Sequence, residues 1–404
     1  MIFSKIKNKT TWLFVLLVIY VSDDNLLFGT NQNELFIYSK YFFYTLFNIV
    51  FFIEGVKSPV TKHTAKIASF LIAMTIIILL SSILNSDLRN GSFLFLYTLF
   101  TAALFSLRVD FQNFGSVYVR LLYFFSVISL IAYVINLIIP EIFNFFPTIQ
   151  NYGGISFKFF LFGSVFEGFN FARNLSVFRE PGIFAIHLCF SLILQLFGNM
   201  FVNRKFLIVT IIALFTTLST TGILVLGLMI LFYIYRSRNL VSIFYSTLLF
   251  VGLILLVIYF PQLFESVFSK LDSNSRDYAS SFSRLASFYI PLEIIKENLF
   301  LGVGLGAFVD LYAMKSRELY GVYLSADSAA TNTFLNIASV YGIAALFLVL
   351  FAIYRFTCIV DRKTFVFLMV LFIMLLSSQE LRYSLLFSII LIYGVGSSLK
   401  NIKL

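Results

Sequence analysis

The stretch "SVFREPGIFAIHLCFSLILQLFGN", Ser176 to Asn199, decides the fold class because it sets two opposite charges directly before an apolar run. Pro181 suits the first turn of a helix, since its missing N–H would be unpaired there anyway. Glu180 then stands near the N-cap, with Arg179 just before it. A helix that begins at Pro181 has the positive end of its dipole beside these charges. The stretch therefore predicts a membrane helix that begins at a polar, charged entrance.

The composition extends this interpretation to the whole chain. The 404 residues are 60% hydrophobic and 12% charged, and the mean hydropathy of +0.95 is far above that of a soluble domain. Apolar stretches of roughly 15 to 23 residues recur, which is what a helix needs to cross a hydrocarbon core of about 30 Å. We predict an all-α polytopic membrane protein, with residues 1–404 forming a single integral membrane domain. About twelve transmembrane helices are expected, near residues 11–28, 37–55, 65–84, 92–107, 117–139, 181–199, 206–219, 222–235, 240–260, 332–354, 364–377 and 385–399.

The charges alternate between the two sides of this predicted bundle. One set of connections carries 17 of the 29 basic residues and 3 acidic ones, which sums to 17 − 3 = +14. The other set carries 12 basic and 16 acidic residues, 12 − 16 = −4, and together the sets give the net charge of +10. Because basic connections stay in the cytoplasm, both termini are predicted there. The positive net charge is thus explained by the orientation of the protein in the membrane, and no nucleic-acid partner is expected.

Two long segments, residues 140–180 and 261–331, fall on the external side of this topology, and both are expected to contain amphipathic helices. The remaining connections are short, so chemistry or recognition is expected on the external face. The turn "LSTTG", Leu218 to Gly222, joins two brief spans on that face. One long tilted or re-entrant element is the alternative there, although the charge alternation argues against it.

The first external segment contains Arg173, Arg179 and Glu180. The free N–H groups of a helix start, its dipole and an adjacent arginine form a seat for phosphate. The alternative is that Glu180 only caps the helix and Arg179 snorkels toward the headgroups.

The second external segment contains "SRLASFYIPLEIIKENLFLGVGLGAF", Ser283 to Phe308. Leu285, Phe288 and Tyr289 follow helical spacing, while Arg284 lies away from that stripe. We expect an amphipathic helix at the membrane interface, kinked or restarted at the proline within it, followed by a tight glycine-rich turn.

Further candidates lie at other predicted helix entrances. Asp327 is a candidate base or ligand, and Asn332 is a candidate substrate contact or a helix cap. Asp24, next to Asp23, is a candidate contact whose alternative is a solvated loop. His187, about two turns into a span, is expected to be a hydrogen-bonded packing residue. The two cysteines fall at different levels of the predicted bundle, so neither a disulfide nor a metal site is predicted.

Three of these stretches, in this order, resemble the O-antigen polymerase/ligase superfamily of bacterial polytopic membrane proteins. "FREPGIFAIHL" resembles its arginine, acidic residue and glycine pattern at a mid-chain span. The stretch from Ser283 to Phe308 resembles the arginine, amphipathic helix and GxGxG of its large periplasmic loop. "TNTFLNIASVYGIAALF" resembles the segment that closes that loop, but Thr331 stands where ligases typically carry histidine.

The resemblance implies a GT-C-like fold in the bacterial inner (cytoplasmic) membrane and an inverting, metal-independent glycosyl transfer at its periplasmic face, without a cofactor. It implies an undecaprenyl-diphosphate-linked donor and a lipid-linked acceptor, with a chain-length regulator protein as a further partner. Arg179 and Arg284 would bind the diphosphate. Glu180 first, and Asp327 second, would accept the proton, while Arg173, Asn332 and Asp24 would contact substrate. The expected function is polymerisation of polysaccharide repeat units; the alternatives are a lipid-linked oligosaccharide flippase or other transporter, and an O-antigen ligase.

Overall fold

The computed structural model describes residues 9–55, 62–86, 90–151, 154–167, 173–237 and 278–396. Its helices are α1 (Lys9–Tyr20), α2 (Leu26–Gly29), α3 (Glu34–Gly55), α4 (Lys62–Leu84), α5 (Asn90–Ser106), α6 (Phe111–Ile138), α7 (Pro181–Leu196), α8 (Arg204–Thr216), α9 (Thr220–Ser237), α10 (Tyr278–Glu297), α11 (Leu305–Tyr320), α12 (Ala326–Ala329), α13 (Thr333–Tyr341), α14 (Ile343–Val360), α15 (Phe365–Leu376) and α16 (Leu385–Gly396). The predicted span at 240–260 lies outside the described residues.

Two apolar helices, α7 and α16, form the centre of the bundle. Every residue of α16 is buried, as are nearly all residues of α7. A helix that is apolar on all sides is stable in this position because neighbouring helices cover every side. Helix α16 approaches α14 so closely that a Cβ on Gly394 would overlap the carbonyl oxygen of Ala352.

The peripheral helices carry apolar stripes on their outer faces. Along α4, Ile72, Ile76, Leu80 and Ile83 recur at helical spacing and are between 45% and 61% exposed. Such stripes are stable against lipid tails rather than water. In the described part of the chain, four helices are long and apolar enough to cross a membrane, and six shorter apolar helices have 10–17 residues. The chain is therefore a membrane-embedded helical protein, while the number of spans stays a prediction.

Contacts across the bundle join connections that the charge pattern assigns to the same side. On the predicted external side, Asn85 Nδ2 donates to the carbonyl of Gly302 at 3.3 Å. On the predicted cytoplasmic side, Arg236 Nη1 lies 2.7 Å from Asp361 Oδ2. Helices α8 and α9 are two separate helices joined by a turn at "LSTTG", as predicted, rather than one long element. Which end faces the cytoplasm remains a prediction.

The predicted span at 332–354 is broken into α13 and α14 at Gly342. This residue has φ 85° and ψ 174°, which a residue with a side chain rarely adopts. A Cβ there would also overlap the carbonyl oxygen of Phe300, and Ile343 N–H donates to the carbonyl of Leu299 at 2.9 Å. The residues that follow α10 therefore pack directly against this helix break.

The glycine-rich turn predicted after α10 packs against this break. Gly302 and Gly304 have φ of 64° and 74°. The N–H groups of Val303 and Gly304 donate to the carbonyls of Ser339 and Val340 at 2.9 and 3.0 Å. These bonds satisfy carbonyl groups that the helix break leaves without helical partners.

Helix α10 continues through Pro291, so it does not restart there, and a kink at this residue stays a prediction. Its predicted apolar stripe is the outer face, because Leu285, Phe288 and Tyr289 are about half exposed, as expected of a helix at the membrane interface. The smaller residues of the opposite face pack inward, and they include Ala286, Ile290 and Ile294.

The all-α prediction is wrong for the first external segment, where an amphipathic helix was expected. A 3-10 helix (Pro140–Phe145) leads into a three-stranded antiparallel sheet of β1 (Thr148–Gln150), β2 (Ser156–Phe160) and β3 (Gly163–Phe166), in the order β1-β2-β3. Burial along β2 alternates, because Phe157 and Phe159 pack against Leu26 and Leu175. This period of two and the aromatic side chains favour a strand over a helix.

Candidate functional site

The candidate site begins at the entrance to α7. Pro181 is the first helical residue, as predicted, and Glu180 occupies the N-cap position with extended backbone, φ −149° and ψ 150°. Its carboxylate makes no capping hydrogen bond, and the residue is exposed. The capping interpretation of Glu180 is therefore wrong. Its charge remains exposed at the positive end of the α7 dipole.

Arg179 contacts three polar groups from two distant parts of the chain. Its Nη1 lies 3.3 Å from Asp23 Oδ2, and its Nη2 donates to the carbonyl of Glu380 at 2.7 Å. Its backbone N–H donates to the carbonyl of Asp24 at 2.8 Å. Burial lowers the pKa of Arg179, but nearby carboxylates, led by Asp23 and Glu180, outweigh it and raise the pKa above its ordinary value. The side chain is thus a fixed, charged guanidinium rather than a mobile snorkelling group.

Asp23 holds one cation on each carboxylate oxygen. Lys40 Nζ lies 2.6 Å from Oδ1, opposite the Arg179 contact at Oδ2. Lys40 belongs to α3, is 2% exposed, and also donates to the carbonyl of Phe28 at 3.1 Å. Burial would raise the pKa of Asp23, yet Lys40 and Arg179 more than offset it and hold the pKa below its ordinary value.

Asp24 lies entirely inside the bundle. Its Oδ2 accepts a hydrogen bond from Ser384 Oγ at 2.6 Å and lies 3.2 Å from His187 Nε2. His187 Nδ1 is in turn 2.8 Å from the hydroxyl of Tyr118. The solvated-loop interpretation of Asp24 is wrong, and the prediction of a hydrogen-bonded packing role for His187 is confirmed. With no exposed surface, Asp24 fits a supporting position rather than a substrate contact.

A second buried charged group lies between α15 and α16. Glu380 Oε1 accepts from Arg382 Nε at 3.3 Å and from its backbone N–H at 2.9 Å. Glu380 Oε2 accepts from Asn336 Nδ2 in α13. Burial lowers the pKa of Arg382, but Glu380 outweighs it and the pKa is raised. These bonds fix the backbone carbonyl that Arg179 contacts.

Arg284, the second predicted diphosphate ligand, lies in the same region. Its Nη1 donates to Oγ1 of Thr220, the first residue of α9, at 3.0 Å. Burial lowers the pKa of Arg284, and the Glu180 carboxylate opposes this without reversing it. Glu180 therefore acts electrostatically on both Arg179 and Arg284. The structure thus brings Arg284 toward the entrance of α7, because Thr220 is followed by Gly222, where an added Cβ would lie 2.9 Å from Ala185 of α7.

The entrance to α13 connects to Arg284 through hydroxyl groups. Ser287 Oγ donates to the carbonyl of Arg284 at 2.8 Å and lies 3.0 Å from Thr331 Oγ1. The next residue, Asn332, is buried and caps α13, because its Oδ1 accepts the N–H of Leu335 at 3.2 Å. The capping interpretation of Asn332 is confirmed.

The remaining predicted residues lie around these groups. Arg173 donates from Nε to the carbonyl of Thr217 at 3.0 Å and from Nη2 to that of Leu218 at 3.3 Å. It therefore braces the turn that leads into Thr220. Asp327 belongs to α12, but its side chain lies outside the described part of the structure, and its role stays a prediction.

Sequence reasoning missed Lys40, Glu380 and Arg382 as parts of this site. A usable signal was present, because charged residues flanked by apolar segments of a membrane protein are rare and usually paired. Lys40 is the only charged residue between Glu34 and Glu54, and Glu380 and Arg382 share one short connection. Among the described residues, no three His, Cys, Asp or Glu side chains cluster as metal ligands would.

Residues 206–350 match the sequence model of a protein family described as O-antigen ligase. The matched part includes Arg284, Thr331 and Asn332 and ends within α14, whereas Arg179 and Glu180 precede it. The match supports a relation to the O-antigen polymerase/ligase superfamily, whose members are glycosyltransferase-like membrane enzymes of polysaccharide biosynthesis. It does not distinguish a polymerase from a ligase. No curated protein matches the chain.

Proposed function

We propose that this protein polymerises lipid-linked oligosaccharide repeat units into a bacterial surface polysaccharide. Donor and acceptor are both undecaprenyl-diphosphate-linked glycans, and transfer takes place at the periplasmic face of the inner membrane. The proposal is supported by the match over residues 206–350 and by the arrangement of charges at the entrance to α7.

The proposed reaction is an inverting displacement at the anomeric carbon of the donor glycan. The acceptor hydroxyl oxygen attacks that carbon from the face opposite the diphosphate, and the bond between carbon and phosphate oxygen breaks with its electron pair. The hydroxyl proton passes to a base. Because negative charge accumulates on the departing diphosphate, preorganised guanidinium groups stabilise the transition state.

The observation that carries this proposal is that Arg179 and Arg284 both lie at the entrance to α7. Arg179 directly precedes it, and Arg284 contacts Thr220, two residues before Gly222, where an added Cβ would lie 2.9 Å from Ala185 of α7. Each guanidinium is held by its own protein partners, Asp23 for Arg179 and Thr220 for Arg284. Cations fixed before the substrate arrives need little reorganisation during the reaction. The contacts described for Arg179 use two of the five N–H donors that a guanidinium carries, which leaves donors for phosphate oxygens.

Glu180 is the first choice for the base that accepts the hydroxyl proton. It is exposed, it makes no capping bond, and its charge acts on both arginines. Asp327 is the second choice. Asp24 and Glu380 are less suited, because one is fully buried and the other already accepts three hydrogen bonds.

A ligase is the second candidate, since the matched family is described as O-antigen ligase. A ligase would use the same donor and the same arginines but a different class of acceptor. Thr331 favours the polymerase, because the resemblance predicts a histidine at this position in a ligase. A flippase is disfavoured, because the charged groups of the candidate site gather at one end of the bundle rather than near its middle.

The deciding experiment is to reconstitute the purified chain in nanodiscs with a defined undecaprenyl-diphosphate-linked repeat unit. Dimers and longer products would support the polymerase, and mass spectrometry would show them directly. Transfer only to an added acceptor glycolipid without a diphosphate would identify a ligase. Absence of any glycosidic product, together with movement of the repeat unit across the membrane, would contradict both enzymes.

A further inference from the structure

The charges around Arg179 balance only because of a buried lysine. Four carboxylates act on the Arg179 guanidinium, and together with four cations they form a charged cluster. The cations are Arg179 itself and three others. The carboxylates are those of Asp23, Glu180, Asp24 and Glu380. The other cations are Lys40, which pairs with Asp23, Arg382, which pairs with Glu380, and Arg284, on which the Glu180 charge acts. With His187 counted as neutral, the cluster is balanced, four charges against four.

Lys40 is an unusual residue for its position. It lies in the second turn of α3 as the only charged residue between Glu34 and Glu54, and it is 2% exposed. A buried ion pair often contributes less to stability than apolar residues of similar size would, so its presence calls for another role. Ionisable side chains buried in membrane helices generally mark functional sites.

The geometry at Asp23 indicates what that role is. Lys40 Nζ lies 2.6 Å from Asp23 Oδ1, and Arg179 Nη1 lies at the longer distance of 3.3 Å from Asp23 Oδ2. Asp23 therefore orients Arg179 while most of its charge is compensated by Lys40. Without Lys40, the carboxylate would neutralise Arg179, and the cluster would carry four negative charges against three positive ones.

We propose that Lys40 is a positioning residue for anion binding: it compensates Asp23, so that Arg179 is held in place yet keeps its positive charge for a lipid diphosphate. The inference rests on the proposed function for the identity of the anion. It assigns a role to a residue outside the three stretches that carry the family resemblance and outside the matched range 206–350.

The test measures binding rather than polymerisation. Undecaprenyl diphosphate without a glycan is titrated against the purified full chain in nanodiscs of zwitterionic lipid. We expect Lys40→Met to weaken binding about tenfold or more, because one buried positive charge close to the anion is lost. Lys40→Met combined with Asp23→Asn should bind within about threefold of the native chain, because it restores the balance at three charges against three while the amide oxygen can still accept the Arg179 N–H. Lys315→Met, which removes a cation that pairs with Glu297 and Glu318 in α10 and α11, is the control and should have no effect.

Each outcome separates this inference from the proposed function. Native affinity in Lys40→Met, or equal weakening in the single and double variants, would overturn it in favour of a purely structural ion pair. If Lys40→Met does not yield folded protein, the double variant still decides, since loss of binding there contradicts the charge balance. An Arg179→Gln variant is included because unchanged binding in that protein would contradict the proposed diphosphate site itself.

Discussion

His187 Nε2 lies 3.2 Å from Asp24 Oδ2, although 163 residues separate the two in sequence. Both side chains are 1% exposed, and the contact ties the turn after α1 to the central helix α7. The same turn presents the backbone carbonyl of Asp24 to the N–H of Arg179. Buried hydrogen bonds of Asp24 and His187 therefore support the backbone that positions Arg179 in the candidate site.

Loss of the Asp24 side chain should destabilise the protein. Asp24→Ala leaves His187 and Ser384 without the carboxylate that they contact, and we expect a cost of about 3 kcal/mol. Asp110→Ala is the matched control, because Asp110 is an exposed cap of α6 and its loss should cost about 1 kcal/mol. Thermal unfolding of both variants in detergent measures the difference. Equal melting temperatures would show that these buried hydrogen bonds contribute little.

Arginine at positions 179 and 284 should not be replaceable by lysine. Arg179 reaches Asp23 and the Glu380 carbonyl from two different nitrogens, which a single ammonium group cannot reproduce. We expect Arg179→Lys and Arg284→Lys to lower the transfer rate about a hundredfold, with single-repeat glycolipid accumulating. Arg236→Lys, at the opposite end of the bundle, is the control. Gel ladders of the polysaccharide check this, and normal ladders in both site variants would remove the arginines from the mechanism.

Replacement of Glu180 by glutamine should slow the reaction without impairing diphosphate binding. The base is lost, so the rate should fall about a hundredfold or more. Binding of undecaprenyl diphosphate should be kept or strengthened, because a negative charge near Arg179 and Arg284 disappears. Single-turnover rates and a binding titration on the same preparation separate the two effects. Full activity of Glu180→Gln would transfer the role of base to Asp327.

The contribution of Asp23 to stability should depend on pH with a definite sign. Its pKa in the folded protein is below the ordinary value of 3.8, because Lys40 and Arg179 outweigh the effect of burial. A carboxylate with a depressed pKa stabilises the fold above its unfolded-state pKa and loses that effect as the pH falls through its folded-state value. The native chain should therefore melt higher than Asp23→Asn at pH 7, and the gap should narrow below about pH 4. A gap that does not change between pH 7 and pH 3 would contradict the ion pairing.

The break between α13 and α14 should require glycine. Gly342→Ala forces a side chain onto a backbone with φ 85° and against the carbonyl of Phe300, so we expect a loss of about 3 kcal/mol or more. Gly227→Ala in α9 meets no atom within 4 Å and should be neutral or slightly stabilising. Protein yield and thermal unfolding of the two variants provide the comparison. A Gly342→Ala protein as stable as Gly227→Ala would show that the break can straighten.

Part of the candidate site could be predicted because its signals are local. The proline at 181 marks a helix start through its own missing N–H, and Arg179 and Glu180 are its immediate neighbours. The positions of Arg284 and Asn332 follow in the same way from the pattern of a helix and of a helix entrance. Each of these predictions needed only the residues within one or two turns.

The local errors have physical causes as well. The strands of residues 148–166 follow a period of two that a hydropathy profile does not separate from an apolar helix. The alternative that Glu180 only caps α7 failed, because its side chain accepts no hydrogen bond from the first turn of that helix. The continuous helix expected over 332–354 failed because Gly342 accepts a conformation that lets the α10–α11 turn dock.

The sequence by itself determined that this is a helical membrane protein, which ends carry the charged connections, and where several polar helix entrances lie, because hydropathy and charge act over one helix length. Only the tertiary structure decided that Arg179 contacts Asp23 and Glu380, that Lys40 pairs with Asp23, and that Arg284 contacts Thr220. These partners come from separate helices, and their charges meet only when the bundle packs. The energy of such pairs depends on burial and on distances of a few ångströms, and neither is encoded in local sequence.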